Sequence, residues 1–116
     1  MKGFALATIS AVLLLSACDM LESNEVRIRN DGPVPLSDVA MDVGGQRVHV
    51  GVIAPGAVAR VGFEPESDSG IQVTYRLGQP PAVRSCDGDV YVTTGARQRF
   101  VARVDAAGRC RLSEFD

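Results

Sequence analysis

The amino-acid sequence predicts an all-β fold, in which antiparallel strands form a β-sandwich of about seven to nine strands. Three observations predict it. Apolar and polar residues alternate with a period of two over most of the chain after residue 24, turn residues separate the alternating runs, and helical spacing is absent from that part. Such alternation is typical of antiparallel strands with one face in the core and the other in water.

Six runs carry the alternation, and the apolar set of each run predicts its buried face. In chain order these sets are Val26 and Ile28; Val39, Met41 and Val43; Val48, Val50 and Val52; Ala59, Val61 and Phe63; Ile71, Val73, Tyr75 and Leu77; and Phe100, Ala102 and Val104. A shift of one residue would turn every side chain of a run to the opposite face, so the shared phase also predicts the core. The expected core members are Val26, Ile28, Val39, Met41, Val61, Phe63, Val73, Tyr75, Phe100 and Val104.

Segments rich in Gly, Pro, Asn and Asp lie between the runs and predict turns. They occupy residues 30–33, 44–45, 54–56, 67–70, 78–81, 87–88, 94–95 and 107–108. A turn at 94–96 would place Tyr91 opposite Phe100 and Asp87 opposite Val104. The resulting hairpin would hold Cys86 at its open end.

The start of this region resembles immunoglobulin- and fibronectin-III-like domains of bacterial proteins. The residues that carry the likeness are Val26, Ile28, Asn30 and Gly32, then Leu36, the run from Val39 to Val43, and the Ile53-x-Pro55-Gly56 turn. The resemblance implies an antiparallel immunoglobulin-like β-sandwich. The marks of antibody domains are missing, because the chain has no Trp and its cysteines are placed differently.

The first residues have the order of a secretory signal peptide. Lys2 supplies a positive charge, residues 4–15 are mostly apolar, and the small residues Ser16 and Ala17 follow. The apolar run is shorter than the ~20 residues that a membrane-spanning helix needs. The alternative is an ordinary signal peptide that has a cysteine near its end by chance.

The sequence Leu15-Ser16-Ala17-Cys18 resembles the lipobox of bacterial lipoproteins. The resemblance implies that residues 1–17 are removed and that Cys18 carries the lipid. Mature bacterial lipoproteins typically carry three acyl chains, palmitate among them, and more than one chain is needed for stable anchoring. Asp19 resembles an inner-membrane retention signal of enteric bacteria, so the expected location is the cell envelope, on a membrane facing the periplasm, with the inner membrane weakly favoured.

Residues 18–24 would then be the lipidated cysteine and a short tether, and residues 25–116 a single β-sandwich domain. Eleven arginines and fourteen acids follow Cys18, and Lys2 is the only lysine, so the mature part has a formal net charge of −3. Such a balance gives the domain as a whole no attraction to nucleic acid or to anionic lipid.

Lipidation of Cys18 would leave Cys86 and Cys110. A disulfide between them is favoured because the compartment is oxidising and because two cysteines, an even number, are left. Closing a loop of roughly 25 residues would stabilise the fold by about 3 kcal/mol on the chain-entropy account. The alternative is two buried free thiols; a metal site is disfavoured because His49 is the only histidine and no Cys-x-x-Cys spacing occurs.

No catalytic residue, metal ligand or cofactor site is predicted. His49 lies on the solvent side of its run and has no serine or cysteine nucleophile near it in the sequence, so it does not indicate a triad. Glu64, Glu66 and Asp68 lack the spacing of a calcium-binding EF-hand and indicate a solvated loop. Residues 87–89 are typical of a turn.

Arg97, Arg99 and Arg103 are expected on the outer face of one strand, Arg97–Val104, and Arg27 and Arg29 lie out of phase with the apolar residues of the first strand. These arginines could recognise a carboxylate-rich partner. The alternative is that they pair with acids on neighbouring strands and keep the sheet soluble.

The sequence therefore favours a non-enzymatic envelope lipoprotein that acts through protein–protein contact or as an accessory subunit of an envelope assembly. The contact surface is expected at the arginine-bearing strand or at an uncovered sheet edge beside it. A periplasmic small-molecule or glycan binding module is the alternative. An envelope hydrolase is less favoured because aromatic residues that would stack on sugar rings are scarce. The sequence does not predict an oligomeric state.

Overall fold

The computed structural model describes residues 24–115, which form nine β-strands. The strands are β1 (Asn24–Asn30), β2 (Leu36–Val43), β3 (Gln46–Ile53), β4 (Val58–Phe63), β5 (Ser69–Leu77), β6 (Ala82–Ser85), β7 (Tyr91–Val92), β8 (Arg99–Val104) and β9 (Cys110–Phe115). No helix in this part of the chain is long and apolar enough to cross a membrane. The fold is all-β, as the alternation predicted.

The strands form two sheets. Sheet A has the order β4-β1-β8-β9 and sheet B the order β3-β2-β5-β6, with β7 paired to the beginning of β5. The inward faces of both sheets contribute to one apolar core, so the molecule is a β-sandwich.

All ten residues expected in the core are buried. Val26, Met41, Val73 and Phe100 have no exposed surface, and Val61, the most exposed of the ten, retains 8%. The rings of Phe63 and Phe100 lie 6.5 Å apart between their centroids. The period-two phase therefore identified the buried face of these strands.

Sheet A departs from the purely antiparallel arrangement that was expected. Strand β8 lies between β1 and β9, and its pairing with β1 is parallel, with Val26 beside Phe100 and Asn30 beside Val104. Parallel neighbours need a long crossover connection, and here the intervening chain makes all of sheet B and strand β4. Sequence alternation reports which face is buried but carries no information on strand order.

The hairpin expected around residues 94–96 is wrong. The turn itself exists, because Ala96 N donates to Thr93 O at 3.1 Å. The preceding strand, β7, pairs with Ser69 and Gly70 of β5 instead of with β8. Strand β8 already has β1 and β9 on its two sides, so no edge of it remains for β7.

The disulfide between Cys86 and Cys110 is present, with a Cα–Cα distance of 4.5 Å. It joins the β6 side of sheet B to the start of β9 in sheet A, which is a different arrangement from the expected hairpin. Asp87 continues the link, because its N–H donates to Cys110 O at 3.0 Å and its C=O accepts from Leu112 N at 2.8 Å. A Cβ on Gly88 would collide with the Leu112 carbonyl, so only glycine allows this close approach. One side of the sandwich is thereby closed.

The alternation fails at the end of β3. Val52 was expected to be buried and is 70% exposed. The register between β2 and β3 shifts at Val39, which pairs with Gly51, and Gly51 has a φ of 99°. The bulge inserts an irregular residue, so the side chains after it change face.

Asn30 ties the far end of β1 to the neighbouring turns. It is 1% exposed, and its side-chain amide donates to Val34 O at 2.8 Å and to Ile53 O at 3.0 Å. Its side-chain oxygen accepts from Gly32 N at 3.0 Å. These bonds satisfy a polar group that would be costly to bury alone.

An arginine-lined face as the candidate functional site

The outward face of sheet A gathers arginines from all four strands. Inward positions of these strands hold the core, and the alternate positions point to solvent. Six of the eleven arginines occupy such outward positions: Arg27 and Arg29 on β1, Arg60 on β4, Arg99 and Arg103 on β8, and Arg111 on β9. We call this set the arginine face. Glu25 is the only acid among the outward positions of the four strands as the structure describes them.

The arginines of this face are direct cross-strand neighbours. Arg29 pairs in register with Arg103, and Arg103 pairs with Arg111, which gives one row across three strands. Arg27 pairs with Arg60 in the next row. Adjacent strands are about 4.8 Å apart, so the positive charges lie close together along each row.

This arrangement does not help the sheet to fold. Like charges directly opposite each other destabilise a pair of strands, by a few tenths to about 1 kcal/mol. In addition, the Nε atom of Arg29 is buried without a hydrogen-bond partner. Uncharged polar residues at these positions would cover the face at lower cost, so folding of the sheet alone does not account for the arginines.

Carboxylates compensate the face only in part. Arg29 and Arg103 share Asp31, at 3.5 Å and 3.2 Å, and Arg27 lies 3.2 Å from Glu25. Within residues 24–115, Arg60, Arg99 and Arg111 form no ion pair, and Asp87 lies in register beside Arg111 without an ion pair to it. All three are exposed, so their guanidinium groups are available to a carboxylate from another molecule.

The end of the face next to residue 24 is held by polar contacts. Glu25 is 8% exposed, its backbone N–H donates to Gln98 O at 3.1 Å, and its carboxylate accepts from Arg27. The guanidinium of Arg27 lies 5.4 Å from the centre of the Phe115 ring, at cation–π distance. Arg27 is therefore engaged within the sheet and is the least accessible member of the face.

The sequence identified part of this surface. Arg27, Arg29, Arg99 and Arg103 face outward, as the phase of their strands indicated, and the pairing of β1 with β8 brings them together. Arg97 is exposed, but it precedes β8 and lies off the sheet, so the strand is shorter than the Arg97–Val104 segment that was expected. Arg60 and Arg111 were missed: Arg60 has the outward phase of its run, but only strand order shows that β4 and β9 lie in the same sheet as β8.

Other arginines do pair with acids on neighbouring strands. On the outer face of sheet B, Arg47 lies 3.0 Å from Asp42 and Arg76 lies 3.3 Å from Asp38. These two pairs border a depression of about 470 Å³ that also includes the exposed His49. Because the cations there already have partners, this depression is a weaker candidate for an anionic ligand than the arginine face.

One residue of the acidic segment 64–68, Asp68, accepts hydrogen bonds that hold a neighbouring turn. Asp68 accepts hydrogen bonds from the Thr94 hydroxyl at 2.6 Å and from the Thr94 backbone N–H at 2.7 Å. The hydroxyl bond and then the backbone bond favour the charged carboxylate, so the pKa of Asp68 lies below its ordinary value. Across residues 24–115, no group of three or more His, Cys, Asp or Glu side chains is arranged to hold a metal ion.

The predicted lipidation site falls elsewhere in the chain. Cys18, Asp19 and the apolar leader lie outside the residues that the structure describes. Strand β1 of sheet A begins at Asn24, the last residue of the expected tether.

Comparisons with known proteins give fold information only. No protein-family model matches the chain, and no curated protein matches it either. Among solved structures, the chain is similar to a protein from Eubacterium rectale determined by NMR, with a TM-score of 0.55 and 14% sequence identity. The match covers 80% of this chain and 88% of the other. At this identity the likeness supports the β-sandwich architecture.

Proposed function

We propose that this chain is a membrane-anchored lipoprotein of the cell envelope that acts without catalysis, by contact with a carboxylate-rich protein partner. The arginine face is the observation that carries the proposal. It is a solvent-facing sheet surface with closely spaced guanidinium groups, on a domain whose formal net charge is −3 after Cys18. Guanidinium groups form bidentate hydrogen bonds with carboxylates, which provide both attraction and orientation.

The charge distribution favours a protein partner over the membrane surface. Since the face is positive and the domain is negative overall, the remaining surface carries an excess of acids, which an anionic lipid surface would repel. The richest row, Arg29–Arg103–Arg111, lies near the end of β1 opposite to Asn24. It is roughly 17 Å along the strand from Asn24.

The proposed anchor agrees with this orientation. A tether of about six residues spans at most ~20 Å, so lipid on Cys18 would keep Asn24 near the headgroups. The richest row would then point away from the membrane, where a periplasmic partner can reach it. The inner membrane is the proposed location, on the basis of Asp19.

Reversing two charges of the richest row should weaken partner capture at least tenfold, which corresponds to about 1.4 kcal/mol. The test variant is Arg103→Glu with Arg111→Glu in the full-length lipidated protein. The measurement is cross-linking in native membranes, followed by affinity purification and quantitative mass spectrometry. The two glutamates again oppose each other, while the carboxylate at position 103 gains Arg29 as an opposite-charge neighbour and the ion pair with Asp31 is lost.

The matched control is Arg47→Glu with Arg76→Glu on sheet B, which changes the net charge by the same amount. Both double variants should keep thermal unfolding midpoints near that of the wild type, because exposed ion pairs contribute about 0–1 kcal/mol each. Equal recovery of the same partners with both double variants would refute the arginine face as the partner-binding surface.

A further inference from the structure

The two sides of the sandwich differ in how their strand edges are covered. The β6–β9 side is closed by the disulfide and by Asp87, which pairs with Arg111 and bonds to Cys110 and Leu112. On the other side, β3 and β4 end the two sheets and are joined through residues 54–57. An uncovered edge strand presents unpaired backbone groups that another strand can bind.

The backbone N–H and C=O groups of β4 that point away from β1, at the free edge of sheet A, can be identified. In β1, Asn30 N donates to Ala57 O on the β4 side, whereas Glu25 N donates to Gln98 O on the β8 side. Because backbone groups alternate along a strand, the even residues of β1 bond to β4. Their register partners in β4 are Ala59, Val61 and Phe63. The N–H and C=O groups of Val58, Arg60 and Gly62 therefore point away from the sheet.

The charge at the edge of β4 is positive. Arg60 forms no ion pair within residues 24–115, and residues 46–63, which contain both edge strands, include no Asp or Glu, although the chain has fourteen acids. A strand added to β4 would place one of its outward side chains directly beside Arg60, in the row that continues to Arg27. An acidic side chain at that point would be favourable, and a basic one would be repelled.

The inward side chains of an added strand would meet apolar surface. Val48, Val50 and Ala59 pack against the core from this side but are only partly buried. Alternate apolar side chains could cover these residues while the intervening ones face the arginines, as strand geometry allows.

We propose that the partner binds by adding an extended acidic segment to β4, as a fifth strand of sheet A. Main-chain hydrogen bonds to Val58, Arg60 and Gly62 supply affinity, and acidic side chains beside Arg60 supply specificity. The inference rests on the proposed function and names the way in which the partner meets the arginine face. A second copy of this chain is a poorer occupant, because antiparallel self-pairing that joins Val58 to Gly62 of the other copy would place Arg60 opposite Arg60.

The backbone bonds are tested by amide hydrogen exchange on the full chain in detergent micelles. The probe is a capped eight-residue peptide of alternating Val and Glu, and its matched control has Lys in place of Glu. The Glu peptide should slow exchange at Val58, Arg60 and Gly62 about tenfold, corresponding to ~1.4 kcal/mol. The Lys peptide should leave these amides unchanged. Equal protection by both peptides, or protection of none of the three amides, would overturn the proposal.

The variants Gly62→Pro and Gly62→Ala distinguish binding to the backbone edge of β4 from binding to the arginine face. Proline removes an N–H that points away from β1, whereas alanine keeps it. In native membranes, Gly62→Pro should lower partner capture about tenfold, equivalent to ~1.4 kcal/mol, and Gly62→Ala should preserve it. Val58→Pro with Val58→Ala repeats the comparison should Gly62→Pro fail to fold.

The outcomes distinguish this proposal from the function on which it rests. Normal capture by both proline variants, together with loss of capture in the Arg103→Glu, Arg111→Glu protein, would refute strand addition and leave the arginine face as the contact. Normal capture by all of these variants would refute both. Concentration-dependent protection of Val58, Arg60 and Gly62 without peptide would show that a second copy occupies the edge instead.

Discussion

Replacing Phe100 by alanine should lower the free energy of unfolding by about 3–5 kcal/mol. Phe100 has no exposed surface and lies on β8, the strand between β1 and β9. Its ring packs 6.5 Å from that of Phe63. Removing it leaves a cavity that the neighbouring strands cannot fill, because both are fixed by their pairing to β8.

The loss is large for this domain, because small proteins are stable by only about 5–15 kcal/mol in total. Urea unfolding of Phe100→Ala measures it. Val101→Ala is the control, since Val101 is the next residue on the same strand, faces outward and is only partly buried. A loss below about 1 kcal/mol for Phe100→Ala would contradict the proposed core, since that is the size expected of an ordinary surface change.

Replacing Cys18 by alanine should release the protein from membranes or block its processing. Each buried CH₂ of an acyl chain contributes ~0.8 kcal/mol to anchoring, so loss of the lipids removes most of the attachment. Membrane fractionation and intact-mass measurement test this expectation. Ser23→Ala, in the same tether, should leave both the mass increment of the lipid and the membrane fraction intact. Unchanged partitioning and size in Cys18→Ala would refute the lipoprotein assignment.

The sequence predicted the buried faces well because burial determines the phase of each strand. Val39, Val73 and Tyr75 are core residues, as their alternation indicated. Tyr75 additionally uses its hydroxyl, which donates to Gly108 O at 2.8 Å, and burial raises its pKa above the ordinary value. That polar partner lies in a distant turn, so no local pattern could reveal it.

Strand order and strand pairing could not be predicted in the same way. The pairing of β8 with β1 depends on contacts between segments far apart in the chain, and the three strands β6, β7 and β9 carry too little alternation to be recognised. The disulfide was predicted from cysteine number, although the hairpin invoked to explain it is absent. Because strand order could not be predicted from the sequence, Arg60 and Arg111 were not included in the predicted surface.

The most direct test of the arginine face is the single substitution Arg111→Glu, measured for stability and partner capture in the same preparation. Arg111 lies between Arg103 and Asp87, so glutamate replaces the like-charge pair with Arg103 by an attractive one and places a like charge beside Asp87. The two effects on stability oppose each other. A net change of up to about 1 kcal/mol corresponds to a shift of roughly 4–8 °C in Tm for a domain of this size. The account predicts that Tm stays within this range of the wild type while partner capture falls. Unchanged capture by a folded Arg111→Glu protein would contradict it.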